Sequence, residues 1–375
     1  MKELLDDLDA WRRAGRRIAL ARVVDLEGSG PRGPGAAMAV NDEGEVIGSV
    51  SGGCVESAVV TEALSVIDAV EPRSVTFGYS DDDAFAVGLT CGGIIHLFIE
   101  PLTSATWTHG DVDNFDALAV ELRAQRPVAM ATVIGGPRSG AKLLVRPDHA
   151  PSGSLGHPEL DRVVARDALG ELDAGISEVR HYGARGEARE REVTVFVESF
   201  APLPRMLVFG AVDFTGALVR VAKLLGYRVT VCDARTVFAT EKRFPQADEV
   251  VVDWPDRLIR RIEADGHVPS LGPRDAVCIL THDAKFDVPA VQAAVATRAG
   301  YIGVMGSRRT HEAREVRLRE AGVDDEGLAR LHSPIGLDLG GRTPEEVAVA
   351  VVAEIIAVRT GRDGRSLRTT SGALH

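Results

Sequence analysis

The chain has 375 residues, 45% of them hydrophobic and 26% charged, which suits a folded protein of two domains at roughly 100–200 residues each. Lys and Arg total 43 against 55 Asp and Glu, a formal net charge of −12, and its basic runs (Arg12-Arg13, Arg16-Arg17, Arg308-Arg309) are too short to offset the repulsion from a phosphodiester backbone, so nucleic acid is excluded as a partner. The longest apolar run, Val347 to Ala357, is broken by Glu354, well short of the roughly 18–20 uncharged residues of a membrane span, so no membrane partner is expected.

The opening Met1-Lys2-Glu3-Leu4-Leu5-Asp6-Asp7 is charged and lacks the apolar core of a signal peptide. Cysteines are few (Cys54, Cys91, Cys232 and Cys278), which fits a reducing compartment and sets the expectation of a cytoplasmic protein.

Residues 1–200 carry a degenerate repeat, with copies over roughly 17–105 and 127–200. The apolar strand Ala19 to Val24 reads like Ala129 to Ile134, and Gly48-Ser49-Val50 matches Gly153-Ser154-Leu155 at an offset of 105. Ala63-Leu64 with Ala168-Leu169, and Phe77-Gly78 with Tyr182-Gly183, keep that offset. Each copy closes on a strand, Leu97 to Glu100 and Val195 to Glu198, now at an offset of 98. The expectation is an N-terminal α+β domain of two strand-plus-helix units.

The repeat is also an internal control, because a feature that merely builds the fold should occur in both copies. In the first copy the strand-to-helix turn reads Gly48-Ser49-Val50-Ser51-Gly52-Gly53-Cys54-Val55-Glu56; in the second, Cys54 is replaced by Glu159. The first copy also has seven more residues in its last loop, which carries Thr90-Cys91-Gly92-Gly93, and a longer Gly28-Ser29-Gly30-Pro31-Arg32-Gly33-Pro34-Gly35. Neither cysteine is needed by the fold. A thiol at a helix N-terminus lies in the positive end of the helix dipole, flanking glycines admit a ligand to the backbone, and their N–H groups can bind an anion. Two such thiols can flank a soft metal or a sulfur atom; the structural alternative is a pair of tight turns with small buried thiols. His96, in a strand, reads as a packed histidine. Cys232 and Cys278 sit inside apolar strands and read as core.

From Arg205 the pattern becomes α/β, predicting a C-terminal Rossmann-like, doubly wound parallel sheet over 201–375. Met206 to Gly210 is a strand, Thr215 to Gly226 a helix, and a second strand runs to Asp233, where a Rossmann protein places its ribose ligand. The turn reads Gly210-Ala211-Val212-Asp213-Phe214-Thr215, so Val212 crowds and Asp213 repels a pyrophosphate. Binding of NAD(P) in the usual pose is therefore not expected. Gly306-Ser307-Arg308-Arg309 opens a charged helix and reads either as a phosphate or carboxylate site or as an N-cap with solvated arginines. Thr281-His282-Asp283 follows another strand. Thr343, Pro344 and Glu346 predict the capped start of the last helix.

These residues resemble the xanthine dehydrogenase accessory proteins of XdhC/CoxI type. The similarity rests on Gly28 to Arg32, Gly48 to Glu56, Gly88 to Gly93, Tyr301 to Arg309 and Ser333 to Asp338. It departs at Gly210-Ala211-Val212-Asp213, where the family often shows Gly-Ala-Gly-His. The resemblance implies a homodimeric, non-catalytic chaperone for molybdenum cofactor, in molybdopterin or cytosine dinucleotide form. Such a protein protects the cofactor, supports its sulfuration with a cysteine desulfurase, and delivers it to a xanthine dehydrogenase or carbon monoxide dehydrogenase-type molybdenum hydroxylase. It implies a cofactor site at Cys54, Cys91, Ser51, Gly52, Gly53, Glu56, Arg32, Gly92 and Gly93, with Gly210, Asp233, Gly306, Ser307 and Arg308 in the Rossmann half. Cys54 is the first candidate for a molybdenum or sulfur contact and Cys91 the second. The alternative is an NAD(P)-linked oxidoreductase with His282 as its candidate proton donor.

Overall fold

Strands β1 (Ile18–Glu27), β2 (Ala37–Asn41), β3 (Val46–Gly48), β4 (Arg73–Phe77) and β5 (Ile94–Pro101) form one antiparallel sheet in the order β3-β2-β1-β5-β4. This is a computed structural model, and it describes residues 1–28, 30, 32–78, 93–103, 107–109, 112–147, 149–265, 270–281 and 283–370. After a small hairpin, β6 (Thr108–His109) with β7 (Val112–Asp113), the same five-strand pattern returns. Its strands are β8 (Val128–Gly135), β9 (Lys142–Val145), β10 (Ser152–Gly153), β11 (Glu178–Tyr182) and β12 (Val193–Phe200), in the order β10-β9-β8-β12-β11. The duplication is therefore real, but each copy holds five strands and one long helix rather than a minimal strand-plus-helix unit. The short β2, β3, β9 and β10 carried too little alternation to be read from sequence.

Strand faces alternate with period two. Ala19, Ala21 and Val23 face outward against α2 (Glu56–Ala69), and Ala129, Ala131 and Val133 against its counterpart α4 (Pro158–Ala174). The opposite faces meet: Leu20 and Ala39 share a core with Met130 and Leu144, and Val24 and Phe98 meet Phe196. Helices α1 (Leu5–Arg13) and α3 (Asn114–Arg123) add Leu5, Leu8, Phe115 and Leu118 to this inner layer. The result is a helix–sheet–sheet–helix sandwich.

Two copies packed face to face leave charge inside. Arg22 on β1 is fully buried and donates to Glu100, to Glu198 at 3.2 Å and to the Thr132 hydroxyl at 3.4 Å. Lys142 is also buried and pairs with Glu100, while burial brings its ammonium down to about 8. Glu100 and Glu198 occupy equivalent positions in the two sheets, as do Arg22 and Thr132. The cluster therefore lies where the two copies face each other.

The chain divides into two compact units, the first comprising residues 1–202 and the second beginning at Leu203. In the second, β13 (Arg205–Phe209), β14 (Arg228–Cys232), β15 (Glu249–Val251), β16 (Ala276–Ile279), β17 (Tyr301–Val304) and β18 (Leu331–His332) form a parallel sheet ordered β15-β14-β13-β16-β17-β18. Helices α5 (Asp213–Leu224) and α10 (Pro344–Thr360) cover one face. Helices α6 (Pro255–Ala264), α7 (Ala284–Val295) and α8 (Arg308–Glu320) cover the other, and short α9 (Asp325–Ala329) precedes β18. This is the doubly wound architecture expected of the C-terminal half. Cys232 and Cys278 are buried in it, and burial pushes both thiols up to about 12. Among the described residues no helix is long and apolar enough to cross a membrane.

Candidate functional site

Antiparallel pairing fixes which loops are neighbours. Glu27 at the end of β1 lies opposite Ile94 at the start of β5, Gly48 at the end of β3 opposite Met38, and Phe77 at the end of β4 opposite Ile95. The β1–β2 loop, the β3–α2 turn, the end of β4 and the start of β5 therefore all lie at one edge of the first sheet. Gly28 and Gly93 touch there: a side chain on Gly28 would meet the Gly93 Cα at 3.7 Å.

Equivalent residues of the two copies are 110 apart in β1 and β8 (Arg22 and Thr132), 105 apart in β2 and β9, and 98 apart in β5 and β12. The first copy thus has five extra residues between β1 and β2 and seven between β4 and β5. The strand ends that flank both insertions lie at the edge that carries Cys54.

Gly48 has φ +77° and a Cβ there would lie 2.4 Å from the Ala37 carbonyl oxygen; Gly153 has φ +104° and would meet the Lys142 carbonyl oxygen at 2.2 Å. This glycine belongs to the fold. Gly52 and Gly53, with φ +74° and +119°, have no such counterparts. Where they stand in the first copy, the second runs straight into α4, which is capped by His157 and starts one turn earlier. One helical turn is replaced by a glycine loop that presents Cys54, and nothing lies within 4 Å of where a Gly53 Cβ would be. The Cys54 thiol is half-buried beside the apolar contacts of α2.

The loop's amides do not wait for an anion. The Glu56 carboxylate accepts from the Ser51 N–H at 2.9 Å, the Gly53 N–H at 2.8 Å, the Val55 N–H at 3.2 Å, and both the Ser49 and Ser51 hydroxyls. The Ser49 and Ser51 hydroxyls in turn accept from the N–H groups of Gly52 and Cys54. The expectation that these amides bind a ligand anion is thus corrected: the chain supplies the anion itself. Asp161 does the same in the second copy, accepting from Ser154 Oγ at 2.8 Å and the Leu155 N–H at 2.6 Å. Glu56 is therefore a positioning residue beneath Cys54. Burial alone would raise its carboxyl, but the serine hydroxyls and backbone N–H groups bring it from 4.5 to about 2. Its contribution is accordingly complete above about pH 4.5 and lost as pH falls through about 2. Glu56→Ala is expected to cost about 1–2 kcal/mol, as a lost helix cap does. Carbon-13 titration of the carboxyl checks the assignment, and a midpoint near the ordinary carboxylate value would refute it.

Arg32 is exposed on the β1–β2 loop. Its Pro-Arg pair recurs as Pro137-Arg138, so the internal control does not set Arg32 apart as it does Cys54. His96 is not fully packed: it bridges Thr76 Oγ1 and Glu27 Oε1, both at 3.0 Å. His181 and Thr194 form the swapped pair in the second copy, which makes this a feature of the sheet. Cys91 and Gly92 lie outside the described residues, as does His282.

The Rossmann-half candidates lie at the carboxyl edge of the second unit's sheet. Gly210 has φ +109°, and a side chain there would approach the Thr281 N–H at 3.0 Å. Asp233 is buried and engaged: it accepts from the Ala211 N–H at 2.8 Å and from Arg235 through Nε at 2.9 Å and Nη2 at 2.7 Å. The carboxylate expected at a ribose is closed off by its own neighbour. Ser307 caps α8 through the Thr310 N–H at 3.2 Å, and Arg308 and Arg309 are exposed.

Sequence reasoning missed the two residues that hold this edge. Arg314, fully buried, donates to Asp287 at 3.0 Å, Ser333 Oγ at 3.2 Å and the Met305 carbonyl at 2.8 Å. Glu354 accepts from the Tyr301 hydroxyl at 2.5 Å and the Gly336 N–H at 2.8 Å. Together they join the Tyr301–Arg309 and Ser333–Asp338 stretches.

Comparison with known proteins accounts for both halves. The XdhC and CoxI family matches residues 11–78 and 121–183, and the XdhC Rossmann domain matches 206–355. A Bacillus subtilis (strain 168) protein named as a probable xanthine dehydrogenase component is 28% identical over 357 residues, 94% of this chain and 96% of its own. The Escherichia coli (strain K12) protein named molybdenum cofactor insertion chaperone PaoD is 25% identical over 346 residues, 92% of this chain and 85% of its own. A crystal structure described as a xanthine dehydrogenase from Bacillus halodurans shares the fold, with a TM-score of 0.62 at 24% identity over 98% of this chain and 97% of its own. With the duplicated N-terminal unit and the Rossmann unit both matched, the chain belongs to the XdhC and CoxI family.

Proposed function

We propose that the chain is an accessory maturation factor that binds molybdenum cofactor at the loop edge of the first copy. The observation that carries this reading is the asymmetry of the duplication: the strand ends flanking both insertions share one edge with the glycine loop and its cysteine, and the other copy has neither the insertions nor the loop. The relative named as a molybdenum cofactor insertion chaperone, aligned over 92% of the chain, supports it.

The donor set suits the group. Cys54 offers a soft thiol, Arg32 an exposed cation, and the backbone at Gly53 is open to close approach. The α2 amides are committed to Glu56, so a phosphate falls to Arg32 rather than to the helix terminus. When bound, the cofactor supplies a dithiolene-held molybdenum centre for the client's chemistry. Cys54 then serves as molybdenum or sulfur contact, with Cys91 and Gly92 as further candidates from the sequence, while Ser51, Gly52, Gly93 and Glu56 shape the edge. In the Rossmann unit Arg308 carries the exposed charge, and Gly210, Asp233, Gly306 and Ser307 shape their turns.

In this proposal the chain is a cytoplasmic homodimer that shields the cofactor, in molybdopterin or cytosine dinucleotide form. It supports sulfuration with a cysteine desulfurase and passes the cofactor to a xanthine dehydrogenase or carbon monoxide dehydrogenase-type hydroxylase. The test is molybdenum and pterin content per chain, wild type against Cys54→Ala, after purification from a cofactor-producing host. Near-stoichiometric cofactor, reduced at least tenfold in the variant, is expected. No cofactor in the wild type, even with cofactor supplied, would overturn the reading.

A further inference from the structure

The second copy contains a feature that the first lacks and the proposed cofactor site does not use. Residue for residue at the offset of 105, Val66 on α2 corresponds to Glu171 on α4, and Val75 on β4 to Arg180 on β11; the matched C-terminal ends of the helices and both ends of the strands confirm the register. In the first copy Val66 is fully buried apolar core. In the second, the Glu171 side chain is 3% exposed, pairs through one oxygen with Arg180, and leaves Oε2 buried without a hydrogen-bond partner. A fold that closes with valine at this position does not need a carboxylate there, and an unsatisfied buried carboxylate oxygen is costly.

Glu171 lines a cleft of about 300 Å³ with Arg166, Asp167, Glu178, Arg180 and Ile176. Three carboxylates face two guanidinium groups. Arg180 is divided between Glu171 and Glu178, and Arg166 is taken by Asp167. The cluster is one cation short. Burial pushes the Glu171 carboxyl up to about 7, which Asp167 and Glu178 reinforce against the pull of Arg180. At the equivalent place in the first copy, Glu62 and Arg73 form a balanced pair at 2.7 Å. Gly170, Ala174 and Ile176 give the cleft an apolar wall beside the acids.

We infer that this cleft binds a primary ammonium group carried on a short aliphatic stem, with Glu171 as the carboxylate that receives it and Asp167 and Glu178 at its rim. The ammonium brings the missing positive charge, and the stem lies along Ala174 and Ile176. The chemistry is that of a free aliphatic diamine or of a lysine side chain on a partner protein.

Calorimetric titration of the full chain with 1,4-diaminobutane, and separately with lysine blocked at its α-amino and carboxyl groups, tests the assignment. The control is the double variant Glu171→Val with Arg180→Val, which carries the first copy's residues and is therefore compatible with the fold; its circular dichroism should match wild type. Binding in the wild type that weakens at least tenfold in the variant is expected. Binding of the diamine alone identifies a free diamine, and binding of blocked lysine as well identifies a lysine side chain. No binding of either probe at 10 mM, or equal binding in the variant, would overturn the inference. Cofactor content is read separately and leaves this result unaffected.

Discussion

Arg22→Met is expected to destabilise the first unit by about 3–5 kcal/mol, the usual consequence of removing one member of a buried ion cluster. Arg22 is fully buried and is the only group among the described residues that bonds to both Glu100 and Glu198. With it gone, Glu100 retains Lys142, but Glu198, 2% exposed and already with one oxygen unpaired, loses its hydrogen-bonded cation and keeps only the longer-range attraction of Lys142 and the N-terminal ammonium. Methionine fills much of the volume, so the loss measures charge rather than cavity. Urea unfolding of the full chain followed at Trp107, buried beside Lys142, reports on this unit. A loss below about 1 kcal/mol would show that Glu198 finds another partner or takes up a proton at little cost.

Arg314→Met should cost the second unit a similar amount, about 3–5 kcal/mol, and its effect should spread along the sheet edge. Asp287, 1% exposed, already has one oxygen without a partner and would lose its ion pair. Ser333 and the Met305 carbonyl would lose their shared donor in the same step. Faster amide exchange confined to residues 305–310 and 333–337, with a lower unfolding midpoint, is the expected signature. Unchanged exchange there would mean that Glu354 alone fixes the Ser333–Asp338 stretch.

The parallel sheet was legible because strands buried on both faces read as unbroken apolar runs, and Met206 to Phe209 and Ala276 to Ile279 are of that kind. The capped start of α10 was legible for a local reason: Thr343 and Glu346 complete each other within four residues. The turn around Cys54 was only half legible. Its glycines and cysteine stood out, but nothing in their order revealed that Glu56 would occupy the amides. The second copy contained the clue, since Asp161 matches Glu56 at the same offset. Arg22 and Arg314 were illegible because their partners are distant in sequence: Glu198 is 176 residues from Arg22, and Asp287 is 27 from Arg314. A charge inside a strand or helix announces its burial only through such partners. Glu171 was accessible in principle, because aligning the copies places it opposite a valine.

The charge cluster between the two sheets also determines how the first unit comes apart. Arg22 and Glu100 belong to one copy, Glu198, Thr132 and Lys142 to the other, and Arg22–Glu198, Arg22–Thr132 and Lys142–Glu100 all cross between them. Separating the copies would break the Arg22–Glu198 and Lys142–Glu100 pairs and expose two apolar faces to water, a cost that neither sheet's own strand pairing can offset. A sequence assembled from two similar segments therefore behaves as one cooperative block, in which partial opening of either repeat is suppressed until both are lost together.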